Sequence, residues 1–206
     1  MLSLVDTTVD GLVLHGYHYK LDLAFDNVLK WYRLLEDGRF NQIEKIDLGY
    51  RMFTINAPKN ADLSIKVDVI QAISDFLKED PYEDVSEAEN QPNNGGSSSK
   101  NFSFEKDAGV IWASFFQYYH IDLENEIGKL HWDKFTALLY NLPSKSQFKQ
   151  IIDIRGKDLS KIDNADEKAN IQMLQVRYSL QEKQNVEQLN QSMGGMFDAL
   201  WDEAKK

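Results

Sequence analysis

The spacing of apolar residues along the chain changes near residue 25. From Val9 to Leu23, apolar and polar positions alternate on both sides of Gly16, which is typical of a short β-hairpin. From Phe25 onward, apolar residues recur every three to four positions until Asp37-Gly38 interrupts the pattern. The sequence therefore predicts a hairpin followed directly by a helix.

Two further helices are predicted before residue 79. The first ends before Pro58, and its apolar positions at helical spacing are Ile43, Ile46, Tyr50 and Phe53. The second runs from about Asp62 to Lys78, and its predicted buried face consists of Ile65, Val69, Ala72, Ile73, Phe76 and Leu77. With the hairpin, these helices predict an N-terminal unit over residues 1–78.

Residues 79–102 differ sharply in composition from this unit. Between Glu79 and Ser99 there are six acidic residues and no basic one, together with prolines and the pair Gly95-Gly96. Such a stretch buries too little apolar surface to offset the entropy of ordering it. The composition therefore predicts a flexible linker.

A helical core is predicted over residues 103–163. Its first helix starts near Ser103, a suitable N-cap, and is apolar around most of its circumference, through Ile111, Trp112, Phe115, Phe116, Tyr118 and Tyr119. Such a helix is usually central to a core. A second helix is predicted from about Gly128 to Asn141, with an apolar stripe formed by Ile127, His131, Phe135, Leu138 and Leu142.

A short helix that is closed by Gly156 follows, and it contains Phe148, Ile151, Ile152 and Arg155. Arg155 stands at its end. A cation at that place complements the helix dipole, and it could equally pair with a buried carboxylate such as Asp122. Both interpretations give Arg155 a structural role.

Residues 164–206 form a predicted C-terminal helix and an amphipathic tail. From Asp166 to Gln191 the chain is rich in polar residues, and one weak apolar stripe contains Ala169, Met173, Val176 and Leu180. We expect a projecting helix. After Gly194-Gly195, an apolar edge follows that consists of Met196, Phe197, Leu200 and Trp201. This edge could dock on the protein's own core or in a groove of a partner or second subunit.

Composition supports a mainly α protein, a helical bundle with a short N-terminal hairpin and a projecting C-terminal helix. Of its 206 residues, 42% are hydrophobic, which is enough for a core. The net charge of -10 disfavours binding to nucleic acid or to anionic membranes. No apolar run is long enough to span a membrane and no signal peptide is recognisable, so we expect a cytoplasmic protein.

The sequence offers little catalytic chemistry. There is no cysteine, and none of the common nucleophile or phosphate-binding motifs is present. The densest polar cluster consists of His120, Asp122, Glu124, Glu126 and His131, whose spacing fits no compact metal-ligand motif. We therefore expect no enzyme, no metal site and no cofactor, and a protein that acts by binding other proteins.

The core segment resembles a known family. Three runs carry the resemblance: F-x-x-Y-x-I-D-L from Phe115, L-H-W-x-x-F-x-A-L-L-x-x-L-P from Leu130, and F-x-x-I-I-x-I-R from Phe148. They resemble the bacteriophage gene product fifteen family of long-tailed phages and prophages of Gram-positive bacteria. The motif residues expected to be structural are Ile121, Asp122, Leu123, His131, Trp132, Phe135 and Arg155. One departure is His120, where we expect a small residue, usually Gly.

The resemblance implies a tail-assembly chaperone. Such a protein would bind the tape-measure protein, help recruit tail-tube protein, act in the host cytoplasm and be absent from the mature virion. It leaves open whether copies of the chain form a homo-oligomer. The rival hypotheses are a structural tail component and an acidic inhibitor of a host defence protein.

Overall fold

The computed structural model describes residues 10–58, 60–78 and 102–180. Within these ranges there are seven α-helices and one antiparallel hairpin, which confirms the predicted mainly helical class. The chain divides into two compact units. The first contains the described residues before 79 together with residues 126–137, and the second contains residues 102–125 and 138–180. The predicted linker over 79–102 lies almost entirely outside the described residues.

The predicted hairpin is confirmed. Strand β1 (Gly11–Leu14) pairs antiparallel with β2 (Tyr17–Lys20), and the two-residue turn between them is His15-Gly16. Both turn residues have positive φ, 50° for His15 and 74° for Gly16, as the tight turns that match strand twist require. The His15 imidazole also contacts Asp68, with Nε2 2.7 Å from Oδ2.

Three helices complete the main body of the first unit: α1 (Phe25–Glu36), α2 (Gln42–Phe53) and α3 (Leu63–Lys78). Helix α2 begins with a reciprocal cap, because the Asn41 side chain accepts from the Glu44 N–H and the Glu44 carboxylate accepts from the Asn41 N–H. The fully buried side chains of these helices form the core of the unit and include Val28, Trp31, Ile46, Tyr50, Phe53, Val69 and Ile70.

The buried face of α3 is rotated from the prediction. Val69, Ile73 and Leu77 are buried as expected, but the other predicted members of the face, Ile65, Ala72 and Phe76, are only half-buried. Their places are taken by Val67, Ile70 and Ser74. Helical spacing alone left the rotation ambiguous because α3 has apolar residues over a wide arc.

The second unit contains α4 (Ala108–Tyr119), the end of α5 (Trp132–Tyr140), α6 (Gln147–Gly156) and α7 (Ala165–Arg177). A 3-10 turn, Leu159–Lys161, precedes α7. The core of the unit includes buried side chains from several of these elements: Phe102, Ile111, Phe115, Leu139, Leu142, Phe148, Ile151 and Ile171.

Three predicted helix boundaries are wrong. Helix α4 starts at Ala108, later than predicted; Ser103 Oγ accepts from the Lys106 N–H at 3.3 Å in the turn before it, and the Asp107 side chain makes no cap hydrogen bond to α4. Helix α5 starts at Trp132, not near Gly128, because the backbone of that glycine is left-handed, with φ 71°. Helix α7 ends at Arg177, before the predicted end at Gln191; residues from 181 onward lie outside the described chain.

A close contact between two helices makes Gly49 indispensable at its position. Gly49 of α2 is buried, and a Cβ atom added there would lie 2.5 Å from Cζ3 of the fully buried Trp31 side chain of α1. No carbon atoms approach that closely without displacement of one of them. Gly49 therefore allows α1 and α2 to pack as closely as they do.

We expect Gly49→Ala to destabilise the protein although alanine favours helices. The propensity gain is about 1 kcal/mol, whereas overpacking a core costs about 1–3 kcal/mol. Urea unfolding should show a net loss of about 1 kcal/mol, with Gly109→Ala in α4 as the control because no atom lies within 4 Å of its added Cβ. A Gly49→Ala variant at least as stable as the parent would contradict this account.

Candidate protein-binding surfaces and the motif residues

The L-H-W part of the motif continues the backbone pairing of the first unit. His131, just before α5, forms an isolated antiparallel β-bridge with Ala24, just before α1. Phe25 donates its N–H to the Leu130 carbonyl at 2.9 Å, and Trp132 donates its N–H to the Leu23 carbonyl at 2.8 Å. This short antiparallel pairing sets the position at which α5 begins.

The side chains of this segment pack on α1. The Phe135 ring stacks on Phe25 with centroids 4.8 Å apart, and the Trp132 ring meets Tyr32 edge-on at 5.8 Å. All four are buried. The aromatic spacing W-x-x-F in the sequence therefore reflects two contacts with one helix, α1.

A carboxylate secures the turn before this segment. Asp26 accepts a hydrogen bond from the Gly128 N–H at 2.8 Å and another from Lys30 Nζ at 2.7 Å. Burial raises the pKa of Asp26, but the hydrogen bonds from Lys30 and Gly128 outweigh burial, and the pKa lies below its usual value. The stabilisation is therefore present at neutral pH and is lost as the pH falls through that lowered pKa.

Two side chains of the cluster from His120 to His131, those of His131 and Asp122, have hydrogen-bond partners within the protein. His131 Nδ1 accepts from the Asp133 N–H at 3.2 Å. Asp122 accepts from Trp112 Nε1 at 3.0 Å, from the Glu124 N–H and from Asn125. Within the part of the chain that the structure describes, no three His, Asp or Glu side chains come together as a metal site.

The I-D-L residues form the turn after α4. Leu123 is buried, and Ile121 and Asp122 are half-buried. His120 precedes them in the left-handed region, with φ 56°, and its N–H and that of Ile121 bond back to carbonyls of α4. Glycine is the residue best suited to such a helix end, which explains physically why a small residue is expected at this position.

Arg155 forms the principal buried ion pair among the described residues of the second unit. Its Nη1 and Nη2 donate to the two carboxylate oxygens of Asp107 at 2.7 and 2.8 Å, and its Nε donates to the Tyr178 carbonyl at 2.6 Å. Both charged side chains are buried, 10% and 5% exposed. The predicted pairing with a buried carboxylate is right in kind, but the residue is Asp107, just before α4, and not Asp122.

The first candidate binding surface is the apolar stripe of α7. Met173 and Val176 are 63% and 71% exposed, and Ala169 is exposed one turn before Met173. Of the described residues in this helix only Ile171 is buried, and it lies roughly 160° around the axis from Met173. The predicted weak stripe therefore faces solvent. Surfaces of this kind dock against an apolar groove or a second helix.

The second candidate surface is the exposed face of α4. Trp112 and Phe116 are 40% and 51% exposed, and their rings stack with centroids 5.4 Å apart and planes 8° apart. The expectation that this helix is central to the core is therefore wrong for this side. We call the surface the aromatic face; its exposed residues are Ala108, Gly109, Trp112, Ala113, Phe116 and Gln117.

The predicted tail edge cannot be placed. Met196, Phe197, Leu200 and Trp201 lie outside the described residues, so their role as a partner-binding edge stays a prediction. The described chain stops at Leu180, three residues after the end of α7.

Comparison with known protein families identifies the family to which the chain belongs. The model of the family described as Bacteriophage Gp15 protein matches residues 4–180. The chain belongs to this family. The resemblance carried by the motif runs is thus confirmed over most of the chain. No curated protein and no solved structure shows a significant match.

Among the helices that the structure describes, none is long and apolar enough to cross a membrane.

Sequence reasoning found the motif residues but missed Asp107 as the partner of Arg155. The only sequence signal for that pair was an acidic residue immediately before an apolar helix, where a buried carboxylate needs a counter-charge.

We expect Arg155→Met to lower the free energy of unfolding by about 3 kcal/mol, because it leaves the buried Asp107 carboxylate without its counter-charge. Adding Asp107→Asn to that variant should recover part of the loss. Urea unfolding of the single and double variants measures this coupling. Lys161→Met, which removes an exposed lysine, is the control and should change stability little. Additive effects of the two substitutions would argue against a direct pair.

We also expect His120→Gly to raise the free energy of unfolding by about 0.5–1 kcal/mol, because a side chain in the left-handed region is strained and glycine is not. His120→Ala serves as the comparison, since it retains the Cβ atom and should give no gain. Thermal and urea unfolding measure both. Equal stability of the Gly and Ala variants would show that backbone strain is absent at this position.

Proposed function

We propose that this phage protein is a tail-assembly chaperone that binds the tape-measure protein and helps recruit tail-tube subunits. The observation that carries the proposal is membership of the Bacteriophage Gp15 family over residues 4–180. In this proposal the protein works in the host cytoplasm, is absent from the mature virion, and needs neither a catalytic site nor a cofactor.

The surfaces of the second unit support this role. A tape-measure protein is long and helical, with apolar faces that need cover before assembly. The α7 stripe offers Met173 and Val176 at helical spacing, opposite the side that holds α7 to its own unit. Such a stripe fits another amphipathic helix. The net charge of -10 keeps the chaperone and its cargo in solution.

The hydrogen bonds that attach α7 to the end of α6 leave the apolar stripe of α7 exposed to solvent. Gln175 donates from Nε2 to the carbonyls of Ile154 and Lys157 at 2.9 and 2.8 Å, so polar contacts at the end of α6 hold the helix. The tail edge from Met196 to Trp201 follows in sequence and is proposed to add to the same partner contact.

Co-expression with the neighbouring tape-measure gene tests the proposal. The tape-measure protein should become soluble and co-purify with the full chain, and Met173→Asp should lower its yield about tenfold, as expected for a charge in an apolar contact. Asn170→Asp is the matched control, because it places the same charge on an exposed site about 60° around the helix from Met173. Deletion after Gly195 should also lower the yield. A tape-measure protein that never co-purifies would overturn the proposal.

Mass spectrometry of purified virions separates this role from that of a structural tail component. A chaperone should be missing from the particles, whereas a tail component should be present in a fixed ratio to the tube protein. Detection at such a ratio would favour the structural role.

A further inference from the structure

The aromatic face of α4 is unusual for the surface of so acidic a protein. Asp, Glu, Lys and Arg are absent from Ala108 to Tyr119, whereas they make up 27% of the whole chain. The exposed positions follow one another at helical spacing, and Trp112 and Phe116 are the two large side chains among them. An exposed helix face that carries no charge, with Gln117 as its polar exception, indicates an interaction surface.

We propose that this face pairs with the same face of a second copy of the chain, with the two α4 helices antiparallel about a twofold axis. An isologous contact of this kind requires a self-complementary surface. With the axis between Trp112 and Ala113, Phe116 lies opposite Gly109 of the second copy and Trp112 lies opposite its Ala113. Both large side chains then meet small ones.

This register is the one that matches large to small residues throughout. If one α4 helix is shifted by about one turn along the other, Trp112 lies opposite Phe116 of the second copy. Aromatic rings then meet at the centre of the contact and keep the two helices apart. A shift in the other direction leaves Phe116 beyond Ala108, at the end of the facing helix. Gly109 and Ala113 permit the close helix approach that interdigitated packing needs, and no atom lies within 4 Å of a Cβ added at Gly109.

Electrostatics also favours a second copy on this face. Copies of a chain with a net charge of -10 repel one another in most orientations. Contact through the aromatic face brings no charged residue of either α4 helix into the interface; Asp122, which accepts from Trp112 Nε1 at 3.0 Å, lies beside it. The antiparallel arrangement also places the positive N-terminal end of each helix dipole beside the negative C-terminal end of the other.

The area of the aromatic face limits the expected affinity between the two copies. Since a whole aromatic side chain can bury about 150–250 Å², the exposed fractions of Trp112 and Phe116 offer about 200 Å² of aromatic surface per copy. That is well below the 800 Å² or so that each partner contributes to a standard interface. The dimer is therefore reversible and depends on protein concentration, with a Kd on the order of 100 µM.

Sedimentation equilibrium of the purified full chain tests the pairing without any tape-measure protein, so its outcome is independent of the proposed function. Over about 20 µM to 1 mM the native chain should shift from monomer to dimer. Phe116→Lys and Gly109→Glu should each weaken association about tenfold or more. Both substitutions suit the helix, since the glutamate lies near its N-terminus and the lysine near its C-terminus. Gln150→Lys, an exposed charge on α6, should leave the dimer intact.

Mixing the Phe116→Lys and Gly109→Glu variants gives the decisive result. In a mixed dimer, the lysine introduced at position 116 of one copy would face the glutamate introduced at position 109 of the other. The second contact would keep the native Phe116 and Gly109, so association should return. Because the chain has no cysteine, Gly109→Cys mixed with Phe116→Cys should also give a mixed cross-linked dimer with a short bismaleimide.

Three results would overturn the inference. The native chain could stay monomeric over the whole concentration range, as it would if another segment of the chain or only a different protein covers the face. The dimer could survive both Phe116→Lys and Gly109→Glu. The mixture of these variants could fail to associate while both remain folded by circular dichroism.

Discussion

The second unit depends on the buried ion pair between Arg155 and Asp107. Arg155 at the end of α6 holds the Asp107 carboxylate that begins α4, and the same guanidinium group holds the carbonyl of Tyr178 after α7. Three helices are thus joined at one point. Because both charges are removed from water, the pair is favourable only while both partners are present and well aligned.

That junction determines which surfaces the unit exposes. With the start of α4 held by Asp107 and the end of α7 held through Tyr178, the aromatic face of α4 and the apolar stripe of α7 both remain open to solvent. The α7 stripe is proposed for the tape-measure helix and the α4 face for a second copy of the chain. Because the two surfaces lie on different helices, the proposed dimer presents two α7 stripes without competition for one site.

The first unit is organised differently, through close packing rather than buried charge. Gly49 allows α1 and α2 to approach, and the L-H-W residues pair with the chain that enters α1 through two backbone hydrogen bonds. Asp26 holds the preceding turn through the Gly128 N–H. Several motif residues by which the family can be recognised are thus explained here by packing, which is why they identify the family without indicating what it binds.

Sequence patterns by themselves determined the helical class, the hairpin, the existence of each helix and the family. These follow from local periodicity, turn residues and motif spacing, which act over a few residues. Tertiary structure alone decided which face of α3 is buried, that Asp107 rather than Asp122 pairs with Arg155, and that Trp112 and Phe116 of an apolar helix face solvent. Those outcomes depend on contacts between residues far apart in the chain. A periodic pattern shows that a helix has an apolar face, but it does not specify which part of the protein, if any, covers that face.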